Sequence, residues 1–268
     1  MKNFFFDTAN IEFITNVWSK LNHRINKELV TGVTTNPNAF YKIGKLKIDE
    51  WFEHTKNLCK LITDIRKDDR GVVYIQCPNS NMSPEEVLEY AKKVSNLTDG
   101  HTRIGLKITP KTEILKINKE LQKYVETNVT GLSDCSTAIK CASYNVDYIS
   151  IIPGRMEEVG IDAKSHIAFV KNSNLKNTQI IAGSMRTIDG LIWTFQYGTV
   201  PTIGEKVWNT ILEDNNINRL LNIDYNINTN VSQFSPSIDN RNYDLSVSFF
   251  NQMDDCGKQA YEELIINN

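Results

Sequence analysis

The sequence predicts a single-domain α/β protein whose sheet closes into a (β/α)8 barrel. Apolar segments with strand character alternate with amphipathic helical segments, and this pattern occurs eight times over about 210 residues. The chain has 268 residues and is 40% hydrophobic, which is enough for one large core. No G-x-G-x-x-G motif follows the first strand, so a doubly wound dinucleotide-binding sheet is the weaker interpretation.

The predicted strands are short runs rich in β-branched and aromatic residues, as expected for strands buried on both faces. In chain order they are 3–8, 29–36, 71–77, 103–109, 125–131, 147–153, 178–184 and 199–204.

Each predicted strand is followed by a segment with apolar residues at helical spacing. In chain order these segments are 11–21, a long helix after Pro37 that carries its apolar face over 48–65, a helix starting at Ser83, 112–123, 133–144, 162–171, 187–197 and 205–213. The third has the clearest start, because Ser83 is a good N-cap, Pro84 suits the first helical position and Glu86 completes a capping box.

The composition changes after residue 215. A segment rich in Asn, Ser and Asp comes first, and an amphipathic stretch from Tyr243 to Ile266 follows. We therefore expect a barrel over 1–215 and a C-terminal extension over 216–268 of the same domain, made of a long loop and a terminal helix. The apolar face of that helix is expected to dock on a neighbouring subunit or across the barrel mouth, and we expect a homo-oligomer.

Charge and cysteine usage limit the partners. The 30 basic and 32 acidic residues nearly cancel and are scattered, so neither nucleic acid nor an anionic membrane is an expected partner. The five cysteines form no C-x-x-C pair and have no metal-ligand spacing with the four histidines, so no metal site is expected. No run reaches the length of a membrane span. We expect a reduced, cytoplasmic protein that acts on small molecules.

Polar residues at the ends of the predicted strands mark the candidate site, because active sites of such barrels lie at the carboxyl-terminal ends of the strands. These residues are Asp7, Asn36, Gln76, Lys107, Asn128, Ser150 and Ser184, with Arg155 and Arg186 just beyond.

Lys107 is the most informative of these residues. Strand alternation places Lys107 on the face opposite Leu106 and Ile108, so it points into the barrel if those two pack under the helices. Desolvation lowers the pKa of such an amine, and a neutral amine can form a Schiff base with a carbonyl substrate. The alternative is a lysine whose stem packs while its ammonium group reaches water or a carboxylate.

An ordered set of motifs extends the argument from about residue 3 to about 213. The motifs are "FFDTAN", "GVTTNPN", "GLKIT", "NVTGLS", "SIIPGRMEEVG" and "AGSMRT". In this order and spacing the chain resembles the transaldolase family, and especially its short subgroup, which includes the fructose-6-phosphate aldolases.

The resemblance implies a cofactor-free mechanism in a (β/α)8 barrel. Lys107 is expected to attack the C2 carbonyl of a ketose phosphate, and Asp7 to act as the general base that accepts the C4 hydroxyl proton. A dihydroxyacetone unit then remains on the lysine and passes to an aldose phosphate, as in the pentose phosphate pathway. From the residues alone, the preferred interpretation of Asp7 is a helix cap.

The resemblance also implies roles for the other strand-end residues. Gln76 and Thr130 are expected to position a catalytic water. The substrate-binding residues are expected to be Asn36, Asn128, Ser150, Arg155, Ser184 and Arg186, with the two arginines and Ser184 forming a phosphate site. Asn36 is also interpretable as a turn residue before Pro37, and the arginines as surface ion-pair partners.

Three departures from the family pattern keep alternatives open. Gln76 matches the aldolase-like members, since larger transaldolases have Glu there. Ile152 matches neither the Phe of transaldolases nor the Tyr of the aldolase group, and the insert before the terminal helix has no counterpart in the short subgroup. The alternatives are an aldolase that releases free dihydroxyacetone and a barrel that binds sugar phosphates without catalysis.

Overall fold

The computed structural model describes residues 3–68, 70–98, 100–173, 175–213, 216–223 and 236–266. Its parallel strands close into a barrel in the order β1 to β8, each hydrogen-bonded to its neighbours in sequence, with β8 returning to β1. The strands are β1 Phe4–Asp7, β2 Val30–Thr34, β3 Val72–Gln76, β4 Arg103–Ile108, β5 Glu126–Leu132, β6 Tyr148–Ile151, β7 Gln179–Ala182 and β8 Val200–Gly204. The predicted (β/α)8 barrel is confirmed.

The α-helices surround the barrel, and a short 3-10 turn, Lys27–Leu29, precedes β2. Within the described residues the helices are α1 Ile11–Leu21, α2 Pro37–Lys42, α3 Ile48–Arg66, α4 Pro84–Ser95, α5 Thr112–Lys116, α6 Asn118–Leu121, α7 Cys135–Ala142, α8 Pro153–Glu158, α9 Ala163–Lys171, α10 Ile188–Gln196, α11 Glu205–Leu212, α12 Asn216–Leu221 and α13 Asn240–Ile266. The capping box predicted at the start of α4 is present, with reciprocal bonds between Ser83 and Glu86.

The amino-terminal end of the barrel interior is filled by aromatic side chains. Phe5, Tyr74 and Tyr148 meet edge-to-face, with ring centroids 5.8 to 6.4 Å apart. Gly105 faces this cluster, since an added Cβ would lie 2.1 Å from the Tyr74 ring. These aromatic side chains close the barrel below, and the Tyr74 hydroxyl donates to Glu126 at the start of β5.

A second core lies between the barrel and the helices. Leu106 and Ile108 of β4 are buried in it. As predicted, Lys107 lies between them in sequence and faces the barrel interior, where its amine reaches a carbonyl of the loop after β2.

The structure corrects three local expectations. The predicted helix after Pro37 is interrupted, because Gly44 adopts a left-handed φ of +71° and separates α2 from α3. The helix expected over 112–123 is two short helices, α5 and α6. Part of the expected long loop is helical, because Ile217 and Leu220 of α12 are spaced to bury together. Residues 224–235 of that loop lie outside the described residues.

The terminal helix α13 crosses the carboxyl-terminal mouth of its own barrel. Ser80, after β3, donates from its backbone N and its Oγ to the Asp254 carboxylate, both at 2.6 Å. Gly257 comes so close to this loop that an added Cβ would lie 2.0 Å from the Pro78 carbonyl oxygen. Met253 is buried in this interface, whereas Tyr243 is 72% exposed. Of the two dockings expected for α13, the described residues form the one across the mouth.

Among the described residues, no helix is both long enough and apolar enough to cross a bilayer.

Candidate active site

Three of the predicted site residues are neighbours in the barrel wall. In the parallel register, Lys107 on β4 is paired with Gln76 on β3 and with Asn128 on β5. All three side chains are buried. Strand pairing alone therefore places a side-chain amide on each side of Lys107.

Lys107 is 6% exposed, and its Nζ donates to the Thr35 carbonyl oxygen at 3.2 Å. Burial lowers the pKa of the Lys107 amine below its ordinary value, and the negative charge of Asp7 partly opposes that shift. A larger fraction of the amine is consequently neutral near physiological pH than in an exposed lysine. Such an amine is a competent nucleophile.

Asp7 lies at the carboxyl end of β1, and its carboxylate is held by two threonines. Its Oδ1 accepts a hydrogen bond from Thr34 Oγ1 at 3.0 Å, and its Oδ2 accepts one from Thr202 Oγ1 at 3.2 Å. The N-cap of α1 is Asn10, whose side chain accepts from Phe13 N. The alternative interpretation of Asp7 as the helix cap is therefore wrong.

Sequence reasoning missed Thr34 and Thr202 as partners of Asp7. Thr34 stands within the "GVTTNPN" motif, and Thr202 is the middle residue of β8. Strand alternation could have placed both hydroxyls inside the barrel, but their pairing with one carboxylate depends on closure of β8 onto β1.

Asn128 and Gln76 each carry a buried polar atom that has no hydrogen-bond partner among the described residues. These atoms are Asn128 Nδ2 and Gln76 Oε1. Asn128 Oδ1 is occupied, because it accepts from Ser150 Oγ at 2.8 Å. An unpaired buried donor and acceptor on both sides of an amine are costly in isolation and suit a polar ligand bound there.

Thr130 is buried in β5 just beyond Asn128. The register of β5 against β6 is interrupted between Val129 and Leu132, where Gly131 adopts a left-handed φ of +76°. This bulge follows Thr130 directly and changes the direction of the chain at the barrel mouth.

Asn36 has the structural role that the sequence left open. It is the N-cap of α2, and its Oδ1 accepts a hydrogen bond from Ala39 N at 2.9 Å. Capping occupies the oxygen of this side chain, while its amide nitrogen is the group suited to a substrate hydroxyl.

Arg155 lies in the short helix α8 after β6, and Ser184 and Arg186 lie in the loop after β7. An added Cβ at Gly154 would lie 1.9 Å from the Ser184 carbonyl oxygen, so α8 touches this loop. Ser184 itself has a left-handed φ of +56°, a strained conformation of the kind that clusters at functional sites. Burial, followed by the positive charge of Arg186, lowers the pKa of Arg155. The Arg186 side chain is close to it, since Arg186 Cγ would lie 3.1 Å from a Cβ added at Gly154.

Arg186 also forms the ion pair that its surface position suggested. Its Nε donates to Glu158 Oε1 at 2.7 Å, and both side chains are largely exposed. An exposed pair of this kind contributes little to stability and leaves the remaining guanidinium donors available.

Glu205 is a further carboxylate at the mouth that the sequence reasoning did not select. It follows β8 directly and accepts a hydrogen bond from Thr8 Oγ1 at 2.5 Å. The position of Glu205 directly after a predicted strand was the sequence signal that could have identified it.

The fold and these residues define a class: a (β/α)8 barrel with a buried lysine and a carboxylate at its carboxyl-terminal mouth. Comparison with known proteins gives the family. The model of the transaldolase/fructose-6-phosphate aldolase family matches residues 4–263. The chain belongs to this family.

Several relatives are described as "Probable transaldolase". That of Bartonella henselae is 30% identical over 190 residues, covering 69% of this chain and 77% of the relative. That of Methanococcus maripaludis is 28% identical over 233 residues, covering 81% of this chain and 95% of the relative. A solved structure described as "QR15, an Aldolase" shares the fold, with a TM-score of 0.51 and 11% identity over 84% of this chain and 97% of that chain.

Proposed function

We propose that this chain is a transaldolase that transfers a dihydroxyacetone unit from a ketose phosphate to an aldose phosphate through a Schiff base on Lys107. The observation that carries the proposal is the buried amine of Lys107, placed between Gln76 and Asn128 and within the electrostatic reach of Asp7. Membership of the family supports the reaction class.

In the proposed first half-reaction, Nζ of Lys107 adds to the C2 carbonyl of fructose 6-phosphate. The carbinolamine loses water to give an iminium ion, with Gln76 and Thr130 positioning that water. Asp7 accepts the C4 hydroxyl proton, the C3–C4 bond breaks, and its electron pair moves into the iminium as an enamine. Glyceraldehyde 3-phosphate leaves, and a three-carbon unit stays on the lysine.

The second half-reaction reverses these steps with another aldehyde. The enamine adds to the carbonyl carbon of erythrose 4-phosphate, and Asp7 returns its proton to the new C4 oxygen. Hydrolysis of the iminium releases sedoheptulose 7-phosphate. Asn36, Asn128 and Ser150 are assigned to the substrate hydroxyls, and their polar groups at the mouth support this assignment.

Arg155, Ser184 and Arg186 are assigned to the phosphate group. A dianion placed near both guanidinium groups would relieve the repulsion between them, and charged hydrogen bonds of this kind are strong. The contact between α8 and the loop after β7 supports a common subsite.

The second candidate function is the aldolase reaction, which releases free dihydroxyacetone. Gln76 favours it, since an amide stands where larger transaldolases have a carboxylate. Ile152 opposes it, because this buried side chain offers no polar atom to order a water near the enamine. We expect transfer to exceed release by at least ~10-fold, about 1.4 kcal/mol in barrier, and Ile152→Tyr to narrow the ratio.

The test is one coupled assay with fructose 6-phosphate, with and without erythrose 4-phosphate. Sedoheptulose 7-phosphate formation by the native chain, lost in Lys107→Met but kept in Lys116→Met, is the expected result. Lys116 is the control because it is exposed on α5. Free dihydroxyacetone formed as fast as sedoheptulose 7-phosphate would select the aldolase, and binding without turnover would contradict both candidates.

A further inference from the structure

Arg155, an arginine of the proposed phosphate subsite, is held by the terminal helix α13. Its Nη2 donates to Gln252 Oε1 at 2.9 Å, and its Cζ lies 5.1 Å from the centroid of the Phe249 ring. Phe249 and Gln252 are three positions apart, so they occupy the same face of α13. The hydrogen bond to Gln252 fixes the edge of the Arg155 guanidinium, and the Phe249 ring covers its face.

The same guanidinium keeps a donor for a further ligand. Arg155 Nε is buried and has no hydrogen-bond partner among the described residues. The Arg186 side chain is close, since its Cγ would lie 3.1 Å from a Cβ added at Gly154, the residue before Arg155. An unpaired donor on a guanidinium that has a second cation nearby is an arrangement that an incoming anion stabilises.

The position of α13 is fixed on both sides of Gln252. On one side, Gly131 leaves room for Phe249, whose ring would lie 2.8 Å from an added Cβ. On the other, Asp254 accepts two hydrogen bonds from Ser80. The contacts of Phe249 and Asp254 therefore fix the part of α13 that carries the Gln252 amide.

The chemistry of residue 252 matters because Gln is neutral. Its amide oxygen accepts from Arg155 without cancelling the positive charge. A carboxylate at the same place would form an ion pair with Arg155, as Glu158 does with Arg186, and would compete with the phosphate for Arg155.

We propose that Gln252 is a positioning residue that fixes the Arg155 guanidinium toward a substrate phosphate and so sets the preference for phosphorylated over non-phosphorylated substrates. This inference rests on the proposed sugar-phosphate function. It assigns to the terminal helix a part in substrate selection in addition to its part in the fold.

The test compares Gln252→Ala and Gln252→Glu with the matched controls Gln259→Ala and Gln259→Glu on the same helix. Gln252 and Gln259 are both exposed, so urea unfolding should give similar midpoints for all four variants. The readouts are the dissociation constant of inorganic phosphate by calorimetry, and kcat and KM for fructose 6-phosphate and for fructose.

Gln252→Ala is expected to raise the phosphate dissociation constant and the KM for fructose 6-phosphate by roughly 5-fold, the scale of one lost hydrogen bond. Gln252→Glu is expected to raise both by ~10-fold or more, because it adds a competing charge. The kcat with fructose 6-phosphate and the KM for fructose should change less than ~2-fold, and the Gln259 variants should match the native chain in every readout.

Unchanged phosphate affinity in both Gln252 variants would overturn the proposal, as would equal losses with fructose and fructose 6-phosphate. A native chain that fails to bind inorganic phosphate and fructose 6-phosphate would overturn it too. If the chain binds phosphate in a Gln252-dependent way but transfers no three-carbon unit, the proposed function fails and the positioning role stands.

Discussion

The two threonine hydroxyls that hold Asp7 allow a quantitative prediction. Thr34→Val and Thr202→Val each keep the side-chain shape and remove one hydrogen bond to the carboxylate, of 3.0 and 3.2 Å respectively. Both threonines are buried, with 0% and 3% exposure, so little water is available to replace the lost donor.

A hydrogen bond to a charged group contributes about 1.5–3 kcal/mol. If Asp7 is the general base and needs both bonds to keep its orientation, each substitution raises the barrier by up to that amount. The expected loss in kcat is therefore ~10- to ~100-fold for either variant, with KM changed by less than ~3-fold. Thr34→Val should have the larger effect, because its bond is shorter.

Thr31→Val is the matched control. Thr31 lies on the same strand as Thr34 and is also buried, but its Oγ1 has no hydrogen-bond partner among the described residues. Replacing that hydroxyl should leave kcat unchanged and keep or raise the free energy of unfolding.

The assay is the initial rate of transfer from fructose 6-phosphate to erythrose 4-phosphate, with urea unfolding of each variant beside it. If Thr34→Val and Thr202→Val retain kcat within ~2-fold, the orientation of the carboxylate is not limiting. The claim that the two hydroxyls orient Asp7 for proton transfer would then be refuted.

Three other substitutions or conditions separate chemistry from structure. Burial lowers the pKa of the Lys107 amine, so kcat/KM should fall as the amine is protonated, with a midpoint at a pH below the pKa of a free lysine. A pH–rate profile in which kcat/KM does not fall toward low pH would contradict a neutral-amine mechanism. Gly131→Ala should lower the free energy of unfolding by about 1–3 kcal/mol, because the φ of Gly131 is +76° and the new methyl group would meet Phe249 and Phe250 at 2.8–2.9 Å. An unchanged urea midpoint would argue against the packing of α13 on β5. Asn36→Asp should keep the helix cap and lose the amide donor, so activity falls at nearly native stability, whereas Asn36→Ala should also lose about 1 kcal/mol of stability. Native activity in Asn36→Asp would show that Asn36 matters only as a cap.

The barrel was predictable because each strand and helix carries its own signal. Alternation around Leu106 and Ile108 was enough to direct Lys107 inward, and the structure has that register. The capping box at Ser83 was equally local. Local physics fixes side-chain direction and helix starts, so such features follow from short stretches of sequence.

Local composition misled the prediction after residue 215. The segment around α12 is rich in asparagine and was expected to be a loop, yet Ile217 and Leu220 suffice to bury one face of a short helix. The break at Gly44 was missed for the opposite reason, since the apolar pattern on both sides favoured one continuous helix.

The partners of the site residues depend on chain closure and were not predictable. Asp7 meets Thr202 only because β8 pairs with β1. Arg155 meets Gln252 only because α13 crosses the mouth. No pattern in either segment specifies such a contact, because it arises from the packing of elements far apart in sequence.

The most direct measurement of the central claim is borohydride trapping followed by peptide mapping. The native chain is incubated with fructose 6-phosphate, reduced, digested and analysed by mass spectrometry, with Lys107→Arg as the control that keeps the charge but cannot form the imine. We expect a reduced three-carbon adduct on Lys107 alone among the lysines, and no adduct in Lys107→Arg. An adduct on another lysine, or active transfer with no adduct at Lys107, would contradict it.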